Sequence, residues 1–481
     1  MKARLAAPLL VISALLLGAC GGGGSEPADR GERAAPAQAA DPNLAPREVP
    51  PASMVSTFAL DVDTASYGYA RRTIQEGRWP EASQIRTEEF VNAFRQDYPE
   101  PEGNGFAVHA DGALLGEREA VVRIGMSTRR AGNAERRPAS LTFVVDVSGS
   151  MSEPGRLDLV KDALHALVDQ LMAGDQVALV TFSEQARVVA PMTPVAERAE
   201  LHRAIDSLGI EGSTNLEGGL VLGYQEASRE FRSVATNRVI LLSDGLANTG
   251  STSWQAILDR VAEYSRKQIT LLTVGVGREY GDTLMEQLAD NGDGAAIYVS
   301  TSEEARKAFV EQLPTTLDLR ARDAKAQVAF NPGVVDSYHL LGYENRALAA
   351  EDFRDDSRDG GEVGPGHSVT ALYRVRLRPD ATGQLATITV RWLDPDTRRP
   401  AEVSHSLDTS ALAPDLWTTT SPRFQVTVLA AALADYLRTH DTFTHLPLPA
   451  LTTRATELAT TTEDPAVAEL ADLLTRTASL S

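Results

Sequence analysis

The middle third of the chain alternates two kinds of pattern, and this alternation constrains the fold more than any other feature. Short runs rich in β-branched apolar residues occur at 141–147, 176–182, 238–242 and 269–276. Amphipathic helical patterns follow them at 157–172, 197–208, 216–231 and 254–264. Continuous apolar runs predict strands that are buried on both faces, and strand–helix alternation predicts parallel strands. Residues 138–313 are therefore predicted to form a doubly wound α/β domain with a mainly parallel, Rossmann-like sheet.

The regions on either side of this domain have different patterns of apolar and polar residues. Residues 53–137 form a smaller N-terminal region, which opens with a strand-like pattern and a helical pattern that contains Tyr69, Arg72 and Ile74. In the region 314–481, period-two alternation predicts antiparallel strands at 326–330, 369–377 and 385–392. Two helical patterns, at 424–437 and 467–480, close the chain. We therefore expect a C-terminal region that is β-rich first and helical afterwards.

The N-terminus has the features of an export signal. Two basic residues, Lys2 and Arg4, precede an apolar stretch that is too short to span a membrane, and small residues follow it. The tetrad Leu17-Gly18-Ala19-Cys20 resembles the lipobox of bacterial lipoproteins, in which the cysteine is acylated and begins the mature chain. Cys20 is the only cysteine of the sequence, which excludes an intrachain disulfide. We expect a signal peptide at 1–19 and a lipid anchor on Cys20.

Residues 20–52 are predicted to be a disordered linker between the lipid and the folded part. Four glycines follow Cys20, and six prolines are scattered among alanines and charged residues before residue 52. Such a segment cannot bury enough apolar surface to offset the entropy of ordering it. Gly21 replaces the aspartate that retains enterobacterial lipoproteins in the inner membrane. We therefore expect attachment to the outer membrane, facing the periplasm.

Polar side chains stand where the first predicted strand of the α/β domain ends. Asp146, Ser148 and Ser150 alternate in one tight loop, so a carboxylate and two hydroxyls can point at one position. In an open parallel sheet, ligands bind outside the carboxyl ends of the strands. Thr214 precedes a predicted helix and Asp244 follows a later strand, so both can reach the same crevice. These hard oxygen donors suit Mg²⁺ or another divalent cation such as Mn²⁺ or Ca²⁺.

The five residues together resemble the metal-ion-dependent adhesion site of von Willebrand factor A-type domains. The pattern is Asp146-x-Ser148-x-Ser150, then Thr214, then Asp244, with every position filled in the expected order. The resemblance implies that the three hydroxyls ligate the metal directly and that the two aspartates act largely through bound water. It also implies that a carboxylate of a partner protein takes the sixth position.

The resemblance extends beyond the metal loop. Residues 58–67, 86–99, 213–215 and 288–292 look like those of a group of bacterial lipoproteins. In that group a characteristic leader region precedes the A-type domain, and a family-specific C-terminal region follows it. The resemblance implies this architecture for nearly the whole mature chain, and it implies no particular biochemical activity.

The charge of the chain limits its partners. There are 46 basic and 66 acidic residues, a net charge of −20, and removal of Lys2 and Arg4 with the signal would leave −22. This excess of acid argues against nucleic acid as a partner, because phosphate binding depends on clustered Lys and Arg. It also disfavours direct binding to anionic lipid. We expect a non-enzymatic, membrane-anchored protein that binds a protein partner offering an acidic side chain.

Two other functions remain open from the sequence. The segment Asp61-Val62-Asp63-Thr64 matches the Asp-x-Asp-x-Thr motif of haloacid-dehalogenase-type phosphatases, in which the first carboxylate is the nucleophile and the second a general acid. No long parallel α/β unit follows it immediately, which disfavours this alternative. The other alternative is a non-catalytic scaffold of the cell envelope, in which the metal only stiffens the loops.

Overall fold

The computed structural model describes residues 54–480 apart from 61–64, 131–136, 245–253, 278–282, 293, 295, 314–318, 357–359 and 396. The predicted signal peptide, Cys20, the linker, Asp61 and Asp63 therefore lie outside the described residues. None of the helices in the described part of the chain is long and apolar enough to cross a membrane.

The strands of the described chain fall into three sheets. Those up to the end of the central domain are β1 (Val55–Ala59), β2 (Phe106–Leu114), β3 (Glu119–Thr128), β4 (Ala139–Asp146), β5 (Gln176–Phe182), β6 (Ala186–Pro194), β7 (Thr236–Ser243), β8 (Ile269–Val276) and β9 (Ala296–Val299). Those after it are β10 (Ala321–Phe330), β11 (Val335–Leu340), β12 (Ala347–Leu348), β13 (Gly361–Val363), β14 (Ser368–Leu377), β15 (Gln384–Leu393), β16 (Pro400–Asp408) and β17 (Leu412–Ala413).

The helices lie both inside and outside the central domain. Outside it, α1 (Ala65–Gln75) and α2 (Thr87–Asn92) follow β1. Inside it are α3 (Leu157–Gln170), α4 (Arg198–Asp206), α5 (Leu216–Arg229), α6 (Trp254–Ser265), α7 (Thr283–Asn291) and α8 (Ser302–Arg306). The C-terminal helices are α9 (Leu416–Thr419), α10 (Pro422–Thr439), α11 (Leu448–Thr462) and α12 (Pro465–Leu480).

The central sheet has the order β6-β5-β4-β7-β8-β9. All of its neighbouring strands run parallel except β6, which pairs antiparallel with β5 at one edge. Strand β4 is buried along its whole length because helices cover both faces. Phe143 and Val145 pack on one face with residues of α3 and α4, whereas Val144 packs on the other face with residues of α5. This arrangement confirms the predicted doubly wound α/β class.

The strands outside this domain form two further sheets that pack face to face, here called the frame. One has the order β12-β1-β10-β15-β16, with β13 also paired to β10, and the other has the order β11-β14-β3-β2-β17. Phe58 of β1 lies opposite Ala326 of β10, so the first described strand pairs with one that follows the central domain. The segments 53–137 and 314–481 thus contribute strands to both sheets of the frame.

Strand β3 shows how the frame is buried on both sides. Val122 and Ile124 point into the core between the two sheets, whereas Val121 faces a second core that contains α10. The start of helix α10 is fixed by Ser421, whose side chain accepts a hydrogen bond from the Phe424 amide, and by Pro422 in the first turn. The helical C-terminal region is therefore packed against the frame and confirms the β-plus-helix expectation.

One helix of the C-terminal region was not expected from the sequence. Helix α11 is rich in threonine, and the hydroxyls of Thr452, Thr456 and Thr460 each donate to the carbonyl four residues earlier. Threonine lowers helix propensity, because its side chain is stiff and competes for backbone groups. Packing of Leu451 and Leu458 into the helical core overrides that preference.

Candidate metal centre

The predicted metal residues begin at the carboxyl edge of the central sheet. Asp146 is the last residue of β4, and Asp244 follows β7 directly. Because β4 and β7 are parallel neighbours, their carboxyl ends lie at the same edge. Ser243, which ends β7, donates a hydrogen bond of 2.6 Å to Oδ2 of Asp146. The fold therefore brings together two acidic residues that are 98 positions apart in the sequence.

The loop after β4 gathers the two serines. The Ser148 amide donates to Oδ1 of Asp146 over 2.9 Å, which turns the chain back towards its own strand end. The hydroxyl oxygens of Ser148 and Ser150 are then 3.1 Å apart. Ser148 is buried and Ser150 is half-buried. Oδ1 of Asp146 thus accepts from the Ser148 amide and Oδ2 from the Ser243 hydroxyl.

Backbone hydrogen bonds hold the loop that carries Thr214 beside the serine loop. The Gly149 amide donates to the Gly212 carbonyl over 2.8 Å, and the Asn215 amide donates to the Ser183 carbonyl over 2.7 Å. Thr214 is buried between these two attachment points. Asn215 caps α5 by accepting from the Gly218 amide, which fixes where the helix begins. The structure thus places Thr214 at the carboxyl edge, as the spacing predicted.

Arg156 is the residue of this edge that sequence reasoning missed. Its Nη1 donates to Oδ2 of Asp244 over 2.6 Å and to the Ser150 carbonyl over 3.0 Å. The Arg156 side chain is 9% exposed and that of Asp244 only 2%. The two residues are 88 positions apart, so no local motif could have indicated the pair. The guanidinium holds the Asp244 carboxylate and the serine loop together.

The second oxygen of the Asp244 carboxylate, Oδ1, is buried, and no group among the described residues donates a hydrogen bond to it. A buried carboxylate oxygen in this state is costly unless a cation or water satisfies it. Asp244 therefore has one oxygen bound by Arg156 and one that receives no donor from the described residues.

Gly277, at the end of β8, makes room for the guanidinium. It adopts a φ of 112°, and a Cβ added there would lie 3.1 Å from Nε of Arg156. A residue with a side chain would be strained in this conformation. The glycine therefore allows both the turn and the close approach of Arg156.

Burial dominates the electrostatics of Asp146. Removal from solvent raises the pKa of its carboxyl, and the nearby negative charge of Asp244 raises this pKa further. Hydrogen bonds from Ser243 and Ser148 oppose the rise because they stabilise the ionised form. A divalent cation beside two neighbouring buried carboxyl groups would stabilise their ionised forms.

The donor set limits which metal fits. In the described part of the chain, no group of three or more His, Cys, Asp or Glu side chains could hold a metal ion. A cation at the carboxyl edge would therefore depend on hydroxyl oxygens, water and two carboxylates. That chemistry fits a hard ion such as Mg²⁺, which keeps several of its waters. The other predicted functional residues, Cys20, Asp61 and Asp63, lie outside the described residues.

Comparison with protein families assigns most of the chain. Residues 140–312 match the von Willebrand factor type A domain, and residues 315–480 match the family described as "Uncharacterized protein YfbK, C-terminal". Residues 43–115 match a further family described as "von Willebrand factor". The matches therefore cover the central domain and both flanking regions.

Individual proteins are also similar to this chain. The protein "Uncharacterized protein YfbK" of Escherichia coli is 33% identical over 390 residues, which are 75% of this chain and 68% of that protein. Inter-alpha-trypsin inhibitor heavy chain H4 of Homo sapiens is 31% identical over 178 residues, which are 35% of this chain and 19% of that protein. A solved von Willebrand factor type A structure from Catenulispora acidiphila has a TM-score of 0.45 at 20% identity, covering 76% of this chain and 88% of the other.

The relative from Escherichia coli is similar over 68% of its own length, and the family that matches residues 315–480 is described by the name of that relative. Von Willebrand factor A-type domains typically mediate protein–protein interactions, often with a bound metal. The chain belongs to the YfbK family of bacterial von Willebrand factor A-type proteins.

Proposed function

We propose that the chain is a lipid-anchored protein whose A-type domain binds a divalent cation and uses it to hold an acidic group of a partner protein. Ser148, Ser150 and Thr214 would ligate the ion through hydroxyl oxygens. Asp146 and Asp244 would act mainly through bound water. When bound, the ion supplies a coordination position for a carboxylate from outside the chain. The proposed role is coordination and not catalysis.

The buried second oxygen of Asp244 carries this proposal. Arg156 satisfies only Oδ2, so Oδ1 lies at the carboxyl edge without a donor among the described residues. The hydroxyls of Ser148 and Ser150 converge to 3.1 Å at the same edge. Hydroxyl and carboxylate oxygens at one edge of a sheet are the ligand type that a hard cation prefers.

The net charge explains why a metal is needed. A chain with a net charge of −20 repels an acidic partner at long range. A divalent ion at the carboxyl edge reverses the sign of the local charge, and its own charge is the largest in such a site. Mg²⁺ is the first candidate because it retains water ligands, and Mn²⁺ and Ca²⁺ are further candidates.

We propose acylation of Cys20 as the means of attachment, with residues 20–52 as the linker to the folded part. Several acyl chains on one residue provide stable anchoring without a basic patch. Gly21 favours the outer membrane, with the A-type domain facing the periplasm. The substitution Cys20→Ser should shift the protein from the membrane fraction to the soluble fraction. Retention in the membrane fraction would contradict the lipid anchor.

Partner binding can be tested with the whole mature chain immobilised on beads and a solubilised envelope fraction. The capture is done in Mg²⁺ and in chelator, and repeated with Asp146→Ala and with Ser152→Ala. Ser152 is an exposed serine just beyond the metal loop, where its hydroxyl donates to the Gly149 carbonyl, so it is a matched control. We expect a set of proteins that is captured only in Mg²⁺, lost with Asp146→Ala and kept with Ser152→Ala.

A defined competitor sharpens the test. A short peptide rich in glutamate should displace the captured proteins in Mg²⁺, and the same peptide with glutamine in place of glutamate should not. Capture that is insensitive both to chelator and to Asp146→Ala would refute metal-dependent binding. Capture that depends on Mg²⁺ but is not displaced by the glutamate peptide would refute the acidic group as the ligand.

A further inference from the structure

A second cluster of polar side chains lies between α3 and α4, on the helical surface of the A-type domain. Each helix contributes a histidine and, four residues later, an aspartate: His165 and Asp169 on α3, and His202 and Asp206 on α4. Residues four apart lie on the same face of a helix, so each helix presents both groups to the other. The cluster is formed by two His-x-x-x-Asp motifs that face each other.

The contacts between the two helices are crossed. Nε2 of His165 is 3.2 Å from Oδ1 of Asp206, and Nε2 of His202 is 3.2 Å from Oδ1 of Asp169. The two Nδ1 atoms are 2.7 Å apart, with ring planes within 24° of parallel and ring centroids 4.9 Å apart, so the rings meet at their Nδ1 edges. Each histidine side chain is 29% exposed, and the Asp206 and Asp169 side chains are 69% and 61% exposed. Each ring of the histidine pair, His165 and His202, thus contacts a carboxylate at one end and the other ring at the other end.

The hydrogen bonds determine where the protons are. An ionised carboxylate only accepts hydrogen bonds, so both Nε2 atoms must carry a hydrogen. A neutral imidazole that is protonated at Nε2 has a bare lone pair at Nδ1. Two lone pairs at 2.7 Å repel each other. The arrangement is stable only when a positive species lies between the two Nδ1 atoms.

We propose that the histidine pair is a binding site for a borderline transition metal of the Zn²⁺, Cu²⁺ or Ni²⁺ class, ligated by Nδ1 of His165 and Nδ1 of His202. Imidazole nitrogen is a preferred ligand for these ions. Metal-bound histidines usually donate their other N–H to a carboxylate, which fixes the ring and raises its basicity. Asp206 and Asp169 provide this second interaction for the two rings.

The geometry needs only a small adjustment. A zinc–nitrogen bond of about 2.0–2.1 Å places two ligand nitrogens roughly 3.3 Å apart in a tetrahedral site. The Nδ1 atoms at 2.7 Å must therefore separate by about 0.6 Å. Partly exposed rings can move this far by small side-chain rotations. Because both histidine side chains are 29% exposed, water or a side chain of another molecule would complete the coordination.

This site is distinct from the carboxyl edge in chemistry. The edge offers hydroxyl and carboxylate oxygens, which suit hard ions, whereas the histidine pair offers nitrogens, which suit borderline ions. Mg²⁺ in large excess should therefore fill the edge without displacing Zn²⁺ from the histidine pair. The proposal does not depend on the function proposed for the edge.

The test is calorimetric titration of the untagged mature chain with Zn²⁺ in saturating Mg²⁺. We expect one Zn²⁺ equivalent to bind to the unaltered chain, and this equivalent to be lost in His165→Gln and in His202→Gln. The control is His440→Asn, because His440 is an exposed histidine at the end of α10 that stacks on Trp79. The equivalent should remain in His440→Asn and in Asp244→Asn.

The aspartates provide an independent readout. Asp169→Asn and Asp206→Asn should each weaken Zn²⁺ binding by about 10–100-fold while leaving the stoichiometry unchanged. Circular dichroism of each variant checks that the fold is intact. The proposal is overturned if the unaltered chain binds no Zn²⁺, Cu²⁺ or Ni²⁺, since the histidine pair then shares a proton instead. It is also overturned if a folded His165→Gln variant binds Zn²⁺ as the unaltered chain does.

Discussion

An arginine–aspartate pair in the A-type domain and another in the frame differ in how their carboxylates are buried and hydrogen-bonded. Arg156 and Asp244 meet at 2.6 Å at the carboxyl edge, and Arg123 and Asp111 meet at 2.6 Å between β2 and β3. The two arginine side chains are similarly buried, at 9% and 7% exposure, whereas the Asp244 side chain is 2% exposed and that of Asp111 is 45% exposed. The pairs therefore have similar arginine environments and differ at the carboxylate.

The carboxylates of the two pairs are used differently. Asp111 receives a bidentate contact, from Nε of Arg123 to Oδ1 and from Nη2 to Oδ2. The remaining Nη1 donates to Gln96, and the guanidinium lies 4.7 Å from the ring centre of Phe424. Asp244 receives a single contact, and its Oδ1 has no donor among the described residues. A bidentate pair satisfies the carboxylate, whereas a single contact leaves an oxygen for a ligand.

The largest expected effect comes from breaking the pair at the carboxyl edge. Arg156→Ala leaves the Asp244 carboxylate, whose side chain is 2% exposed, buried beside Asp146 without its positive neighbour. We expect the free energy of unfolding to fall by roughly 3–5 kcal/mol in chelator. The deficit should shrink in Mg²⁺, because the ion then supplies the missing positive charge. Urea denaturation under both conditions measures it, and an equal deficit under both conditions would show that no cation shares the Asp244 charge.

Breaking the frame pair should have a smaller effect that does not depend on the cation. Arg123→Ala removes the hydrogen bonds to Asp111 and Gln96 and the contact with Phe424. Because the Asp111 side chain is 45% exposed, water can solvate the carboxylate that remains, and we expect a loss of roughly 1–2 kcal/mol in Mg²⁺ and in chelator alike. The same urea experiment measures it. A deficit that depends on Mg²⁺ would break the distinction between the two pairs.

A third buried pair tests the frame through pH. Burial raises the pKa of the Asp323 carboxyl to about 6, and the negative charge of Asp356 contributes to this rise. The hydrogen bond and positive charge of Lys325 oppose the rise, because they stabilise the ionised carboxylate. Because this pKa is higher in the folded than in the unfolded chain, the folded chain binds more protons between about pH 4 and pH 6. Its contribution to stability therefore falls as the pH rises through that range.

We expect Asp323→Asn to remove this fall, a change on the order of 1 kcal/mol across the range. Thermal unfolding at a series of pH values measures it, with Asp336→Asn as the control. Asp336 is an aspartate of the frame with a 40% exposed side chain. A pH profile that is the same in Asp323→Asn and in the unaltered chain would contradict the account.

The α/β domain was predictable because its signals are local. Each strand is a continuous apolar run that meets its helices within a few dozen residues, and α3 and α6 lie within two residues of the expected bounds. The pairing of the frame was not predictable. Phe58 and Ala326 are 268 positions apart, and a period-two pattern shows that a strand exists but not which strand it pairs with.

The same reasoning applies to the candidate sites. Asp146, Ser148, Ser150 and Asp244 lie at or just after strand ends, and Thr214 lies just before a helix. Because the carboxyl ends of parallel strands and the helix starts that follow them meet at one edge of the sheet, Asp146, Thr214 and Asp244 could be linked from the sequence alone. The contact between Arg156 and Asp244 could not be predicted, because the sequence around a single arginine in a loop does not indicate which residue it pairs with. The histidine pair was missed because its residues lie on two different helices, and only the packing of α3 on α4 brings them into contact.

Cation binding at the carboxyl edge is the central claim, and thermal unfolding in increasing Mg²⁺ tests it most directly. The unaltered chain and Ser152→Ala should both gain stability, with the melting temperature of the A-type domain rising by roughly 5–10 °C when Mg²⁺ is 100-fold above its Kd. Asp244→Asn should show no rise. A melting temperature that does not change with Mg²⁺ in the unaltered chain, or that rises by the same amount in Asp244→Asn, would contradict a metal site at this edge.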